Sequence, residues 1–176
     1  MSATTPASLP ATGSWRIDAT HSTATFTLTH NVVATFRAGF HGISGSLEDG
    51  VLSGSVAVEN LDLGGPAAFR EHLLGEGFLD AASHPNLSFR SQDIHAHGGG
   101  NVHGSGELTI KGTTLPIAVE GSVRGPQEVE LADGSTGERL GITLTTTVDR
   151  RDYGLEIYAG ADWDVAIEVA LELSKS

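Results

Sequence analysis

The chain contains no cysteine. That absence removes disulfides, thiolate nucleophiles, zinc fingers and iron–sulfur clusters together, so packing and hydrogen bonds must hold the fold. Aromatic residues are scarce, at 6% of the sequence, which leaves medium aliphatic and small side chains to build the interior. Basic residues are few as well: ten Lys and Arg stand against twenty-two Asp and Glu, for a formal charge of −12. Such a surface repels nucleic-acid phosphates and anionic membranes, so neither is an expected partner. No stretch approaches the roughly eighteen apolar residues that a spanning helix needs, and no stable membrane insertion is expected.

At 176 residues the chain suits one domain with a sizeable core. Met1 to Gly13 is rich in Ser, Thr, Ala and Pro, with no charge and no periodicity. Residues 1–13 therefore read as a disordered leader, and residues 14–174 as the domain. The leader has neither the basic start nor the apolar block of a secretory signal, so the expected location is cytoplasmic.

The domain reads as nearly all strand. Apolar residues alternate with polar ones in Ala24 to His30, Phe36 to Gly42, Val51 to Val58, Leu87 to Asp93, Val102 to Ile110, Leu115 to Val123, Leu140 to Val148 and Trp163 to Leu173. Turn residues separate most of these runs, as in Glu48-Asp49-Gly50, Gly98-Gly99-Gly100-Asn101, Lys111-Gly112 and Ala132-Asp133-Gly134-Ser135. Short hairpins make sequential neighbours pair, and eight such runs predict a small closed antiparallel barrel. Glycines inside the runs, Gly104 and Gly106 among them, would let the sheet curl. The one helix expected, Pro66 to Gly75, has Phe69, Leu73 and Leu74 at helical spacing, Pro66 in the first turn and Gly75 as a stop. Alternation sends Phe26, Leu28, Val56, Val58, Leu87, Phe89, Leu108, Ile110, Ile117, Val119, Ile142, Leu144, Val165, Ile167 and Val169 inward. An eight-stranded barrel lined this way is either filled by its side chains or left open for one small ligand.

Motifs spread along the whole domain carry a resemblance. Trp15-x-Ile17-Asp18-x-x-His21-Ser22 precedes Phe26, His30 and Gly39-Phe40; Glu71-His72-Leu73, Gly77-Phe78-Leu79-Asp80 and Pro85-x-Leu87-x-Phe89-x-Ser91 follow. Gly106 to Gly112 and Arg151-Asp152-Tyr153-Gly154-Leu155 continue the order. In this pattern the chain resembles the YceI-like, polyisoprenoid-binding proteins. The resemblance implies an all-β fold: an extended lipocalin-like, eight-stranded antiparallel β-barrel with one short helix inserted between strands. It also implies an apolar tunnel holding an isoprenoid quinone, its polyprenyl precursor or a similar long-chain amphiphile. The residues expected to line that tunnel are Phe26, Leu28, His30, Phe40, Val56, Val58, Phe69, Leu73, Phe78, Phe89, Leu108, Ile117, Val119, Leu144, Tyr153 and Trp163.

Other constellations compete for attention. His21 and Ser22 could form a nucleophile and base, but adjacent strand residues diverge, which favours a structural role. Asp93, His95 and His97 alternate onto one face with His103 across the turn, a donor set suited to a divalent metal. Simple register opposes this. His95 shares the face of Leu87 and Phe89, His103 points away from it, and only a bulge could reconcile them, so no metal and no cofactor is expected. Arg150-Arg151-Asp152-Tyr153 is either a head-group clamp or a surface ion pair.

The leading expectation is a soluble carrier without catalytic residues. The alternative is an enzyme on the same barrel, with His21, His30 or Asp152 as acid or base on an apolar-tailed ligand. A third reading is a closed-core scaffold whose partner is another protein. A closed barrel has no free edge, so a homodimer would need a side-chain patch.

Overall fold

The computed structural model describes Leu9 and residues 13–176. The leader expected over 1–13 thus lies outside the described residues except for Gly13 and Leu9, and Leu9 is buried in the core.

Among the described residues there are eleven strands: β1 (Ser14–Ile17), β2 (Thr23–His30), β3 (Ala34–His41), β4 (Ser44–Glu48), β5 (Val51–Ala57), β6 (Leu61–Asp62), β7 (Asn86–Ala96), β8 (Asn101–Ile110), β9 (Thr113–Glu130), β10 (Thr136–Asp149) and β11 (Asp164–Lys175). One helix, α1 (Ala67–Leu74), lies between β6 and β7. All pairings among the named strands are antiparallel. The strands close into an eight-stranded barrel because β1 and β2 act as one bent strand, and β3 and β4 as another. β11 pairs with both parts of the first, Leu173 opposite Ile17 and Ala170 opposite Thr23. β2 pairs with β3, and β1 with β4. The remaining strands follow in hairpin order from β4 through β5, β7, β8, β9 and β10 to β11.

The bend between β1 and β2 explains the Asp-x-x-His-Ser motif. Five residues loop out of the ladder there, which would orphan backbone groups of Glu172 on β11. The Ser22 hydroxyl accepts from the Glu172 N–H at 3.1 Å, and the Glu172 carbonyl takes the Asp18 N–H at 2.8 Å. The Asp18 carboxylate holds the loop by accepting from the Thr20 N–H at 2.9 Å and lying 2.9 Å from His21 Nδ1. His21 and Ser22 therefore serve different partners and do not form a catalytic pair. The Asp18 hydrogen bond raises the exposed His21 imidazole above its ordinary 6.5. The linkage has one sign: this contact stabilises the loop fully below 6.5 and is lost as pH rises through the elevated value. An NMR titration should place the His21 midpoint above 6.5, and Asp18→Asn should return it there.

β7 carries a bulge at Gln92: Ser91 pairs with Gly106, but Asp93 pairs with Ser105. The extra residue switches the inward set from Leu87, Phe89 and Ser91 to Ile94, which is buried. Gly104 permits the close approach that follows, since a Cβ there would lie 1.8 Å from the Asp93 carbonyl oxygen. α1 starts at Pro66, whose φ of −60° suits helix entry, and Arg70 Nε ties it down by donating to the Leu61 carbonyl at 3.0 Å. No helix among the described residues is long and apolar enough to cross a membrane.

Candidate functional site: a barrel packed at one end and hollow at the other

At the end built by β1, β4 and the tail of β11, side chains fill the interior: Trp15, Leu47, Leu140, Ile142 and Leu173 are almost completely buried. Toward the other end the same inward alternation leaves a cavity of about 970 Å³. This lies at the top of the roughly 300–1,000 Å³ typical of small-molecule sites. Two lower side chains, Ile17 and Ile43, form its floor, and its walls are aliphatic and aromatic. Phe26 packs against Phe36 and Phe40 at centroid distances of 6.2 and 6.1 Å, and Phe69 of α1 meets Phe36 edge-on at 5.9 Å.

Of the residues expected to line the tunnel, Phe26, Leu28, His30, Phe40, Val56, Phe69, Leu73, Phe78, Phe89, Leu108, Ile117, Val119, Leu144 and Tyr153 all border this cavity. Val58 and Trp163 do not. β5 ends at Ala57, and Val58 begins a short 3-10 turn that buries it outside the cavity. Trp163 stacks under a guanidinium, with the Arg150 Cζ 4.4 Å from its ring centroid. Ile142, assigned inward, belongs to the packed end rather than the cavity wall.

Three segments frame the mouth: α1, the turn between β2 and β3, and the loop from Gly154 to Asp162. Arg150 builds that loop. It is 3% exposed, and its five N–H groups all donate to carbonyls: Nε to Asp162, one terminal nitrogen to Leu155 and Ile157, the other to Tyr158 and Ala161, at 2.5–3.0 Å. A guanidinium has five donors, so Arg150 keeps none for a head group. Arg151 is also engaged, pairing with Asp149 at 2.5 Å and holding that carboxyl down at about 2. The clamp suggested by Arg150-Arg151 is therefore structural.

The pinned loop reaches the β2–β3 turn. The Tyr158 hydroxyl donates to Asn31 Oδ1 at 2.7 Å, the Asn31 N–H donates to the Gly160 carbonyl at 2.6 Å, and the Tyr158 ring stacks on His30 at 5.3 Å. Among the described residues the exposed large hydrophobic side chains are Val32, Val33, Phe69, Ile157 and Tyr158. All five sit on these three segments, so the exposed apolar surface is gathered around the mouth. Inside, the Tyr153 hydroxyl is buried without a hydrogen-bond partner, and burial raises its pKa, keeping it a neutral donor.

The cavity wall is weakest between β9 and β10. Their ladder stops at Glu120 opposite Thr145, although β9 pairs with β8 as far as Thr113 and β10 with β11 as far as Asp149. Two threonine hydroxyls bridge the seam, Thr146 Oγ1 to the Ala118 carbonyl at 2.7 Å and Thr145 Oγ1 to the Glu120 carbonyl at 3.2 Å. Pro116, within the unpaired stretch, has no N–H to offer.

Sequence reasoning missed the function of Arg150 and the exposed rim. It also placed His95 and His103 on opposite faces. The Gln92 bulge overturns that: His95 now lies outside the barrel, directly opposite His103.

Comparison with known proteins agrees with this geometry. A UPF0312 protein of Shewanella sp. (strain W3-18-1) is 28% identical over 159 residues, covering 86% of this chain and 81% of the relative. A UPF0312 protein of Vibrio cholerae serotype O1 (strain ATCC 39315 / El Tor Inaba N16961) is 27% identical over 158 residues, covering 86% and 81%. Among solved structures, Burkholderia cenocepacia BcnA superposes with a TM-score of 0.72 at 18% identity, covering 89% of this chain and 98% of that one. A polyisoprenoid binding domain from Saccharophagus degradans, implicated in plant cell wall breakdown, superposes with a TM-score of 0.68 at 13% identity, covering 92% and 98%. The barrel, its bent first strand and its inserted helix occur within residues 15–175, which match the YceI-like domain, and the chain belongs to that family.

Proposed function

We propose that this protein is a binding protein that carries a polyisoprenoid, such as an isoprenoid quinone or its precursor, or a similar long-chain amphiphile. The observation that carries the reading is the apolar cavity of about 970 Å³, open beside α1 and rimmed by the exposed hydrophobic side chains. Each methylene that leaves water contributes about 0.8 kcal/mol, so a long tail binds tightly with few polar contacts. The buried Tyr153 hydroxyl is the polar anchor, because a ligand oxygen beside it would satisfy an otherwise unpaired donor. The exposed rim is where the tail enters. The residue set is the one that borders the cavity, without Val58 and Trp163. The relative described as a polyisoprenoid binding domain supports the ligand class. Carriage of this kind requires no catalytic group.

Denaturing mass spectrometry of an organic extract from the purified protein tests the proposal. A long-chain isoprenoid or fatty amphiphile is expected in near-stoichiometric amount. An extract without one, together with no binding when such lipids are titrated into the protein, would overturn it.

A further inference from the structure

The slit where β9 and β10 part runs to the mouth end of the barrel. Asp149 leads directly into Arg150 and its pinned loop, and Lys111, just before β9, donates to the Glu76 carbonyl beyond α1 at 3.3 Å. A tail that enters by the mouth therefore leaves its head beside this slit. The Thr146 and Thr145 hydroxyls that reach across it show that the Ala118 and Glu120 carbonyls turn toward β10. Backbone direction alternates along a strand, so Pro116 turns its carbonyl to the same edge, where no ladder partner meets it.

Outside, a groove of about 1420 Å³ lies over the slit. One cross-strand row of its floor runs from Thr147 through Ala166 and Thr27 to Arg37, and the row beside it carries Glu120, Glu168 and Asp62. Tyr153, in the short 3-10 turn after β10, borders both the groove and the cavity, so the two spaces meet at this residue. Its buried hydroxyl is the unpaired donor. With Asp152, the groove holds four carboxylates outside the Asp149–Arg151 pair, against the single guanidinium of Arg37. An anionic head there meets like charge, whereas an uncharged one meets hydroxyls and carbonyls.

We infer that the slit between β9 and β10 is the head-group subsite of the cavity, and that it selects amphiphiles with an uncharged polar end, a quinone or an alcohol, over phosphate esters of the same tail. The inference rests on the carrier function proposed above and narrows its ligand. A quinone oxygen accepts from Tyr153, and an alcohol can also donate to the free carbonyl edge of β9. Arg150 and Arg151, the basic residues nearest the slit along β10, are committed to carbonyls and to Asp149, so neither is free to offset a phosphate.

The test is titration of delipidated protein with a polyprenol and with the polyprenyl phosphate of equal chain length, read by native mass spectrometry. The polyprenol should bind ~10-fold or more tightly at low salt, and the difference should narrow as salt is added. Thr147 is exposed on the groove floor, and Thr147→Lys should raise affinity for the phosphate ~5-fold or more while leaving the polyprenol unchanged. Ala68→Lys adds the same charge at an exposed position of α1, beside the mouth, and should bind both lipids as the parent does. Equal or tighter binding of the phosphate by the parent, no gain in Thr147→Lys, or an equal gain in Ala68→Lys would overturn the inference and leave the carrier function standing. If neither lipid binds, the carrier function fails and the inference falls with it.

Discussion

Replacing Arg150 by alanine should destabilise the protein by about 3 kcal/mol or more and dismantle the mouth of the barrel. The change removes five donated hydrogen bonds and leaves carbonyls of Leu155, Ile157, Tyr158, Ala161 and Asp162 competing for water in a partly closed space. Each buried polar group left unpaired costs about 1–3 kcal/mol, and the loop relieves part of this by opening to solvent. For a chain of this size the loss corresponds to a fall in melting temperature of roughly 6–12 °C. Arg150→Lys should recover little, because an ammonium has three donors and no planar fork. Hydrogen exchange over Gly154 to Asp162 should accelerate in both variants, and calorimetry should show the lower melting temperature. A melting temperature unchanged in Arg150→Ala would mean that water replaces the guanidinium at no cost, contrary to this account.

Filling the cavity should have the opposite profile, with large loss of ligand and small loss of stability. Val56 and Ile117 both border the hollow half of the barrel. Val56→Trp or Ile117→Trp places a ring where a ligand tail would lie. Displacing even three methylenes at about 0.8 kcal/mol each weakens binding by about 2.4 kcal/mol, a factor of roughly 50. Overpacking a filled core costs about 1–3 kcal/mol, whereas a side chain entering open space should cost less than the lower figure. The packed end supplies the contrast. Leu140 and Leu47 are 1% and 0% exposed, and either one changed to alanine should cost about 2–5 kcal/mol while leaving ligand affinity nearly unaltered. Lipid titration and thermal melting of the four variants read both quantities. If the tryptophan variants melt several degrees lower and bind lipid as the parent does, the hollow is not the binding site.

The two halves of the barrel show how far local pattern reaches. Alternation in Phe26, Leu28, Phe89, Leu108 and Ile117 correctly sends these side chains inward, and they border the cavity. The same alternation in Ile142 and Leu140 says nothing about whether the space ahead is filled. There Trp15, Leu47 and Leu173 converge from strands far apart in sequence and pack it. β1, β4 and β6 escaped notice because runs of four, five and two residues are too short to show a period. Their existence depends on partners: β11 for β1, β5 for β4 and β3 for β6.

Periodicity, turn chemistry and helix punctuation decided the eight barrel strands, the hairpin order and α1, because each is a property of neighbours along the chain. Three features depended on contacts between distant residues. The bulge at Gln92 shifts the inward phase by one residue, and only the pairing of Asp93 with Ser105 reveals it. The role of Arg150 follows from a loop that folds back to offer five carbonyl oxygens. The hollow above a packed floor results from barrel closure, which sets how much volume faces a given set of aliphatic side chains. Local pattern reports the direction of a side chain, whereas the closed sheet determines what it meets.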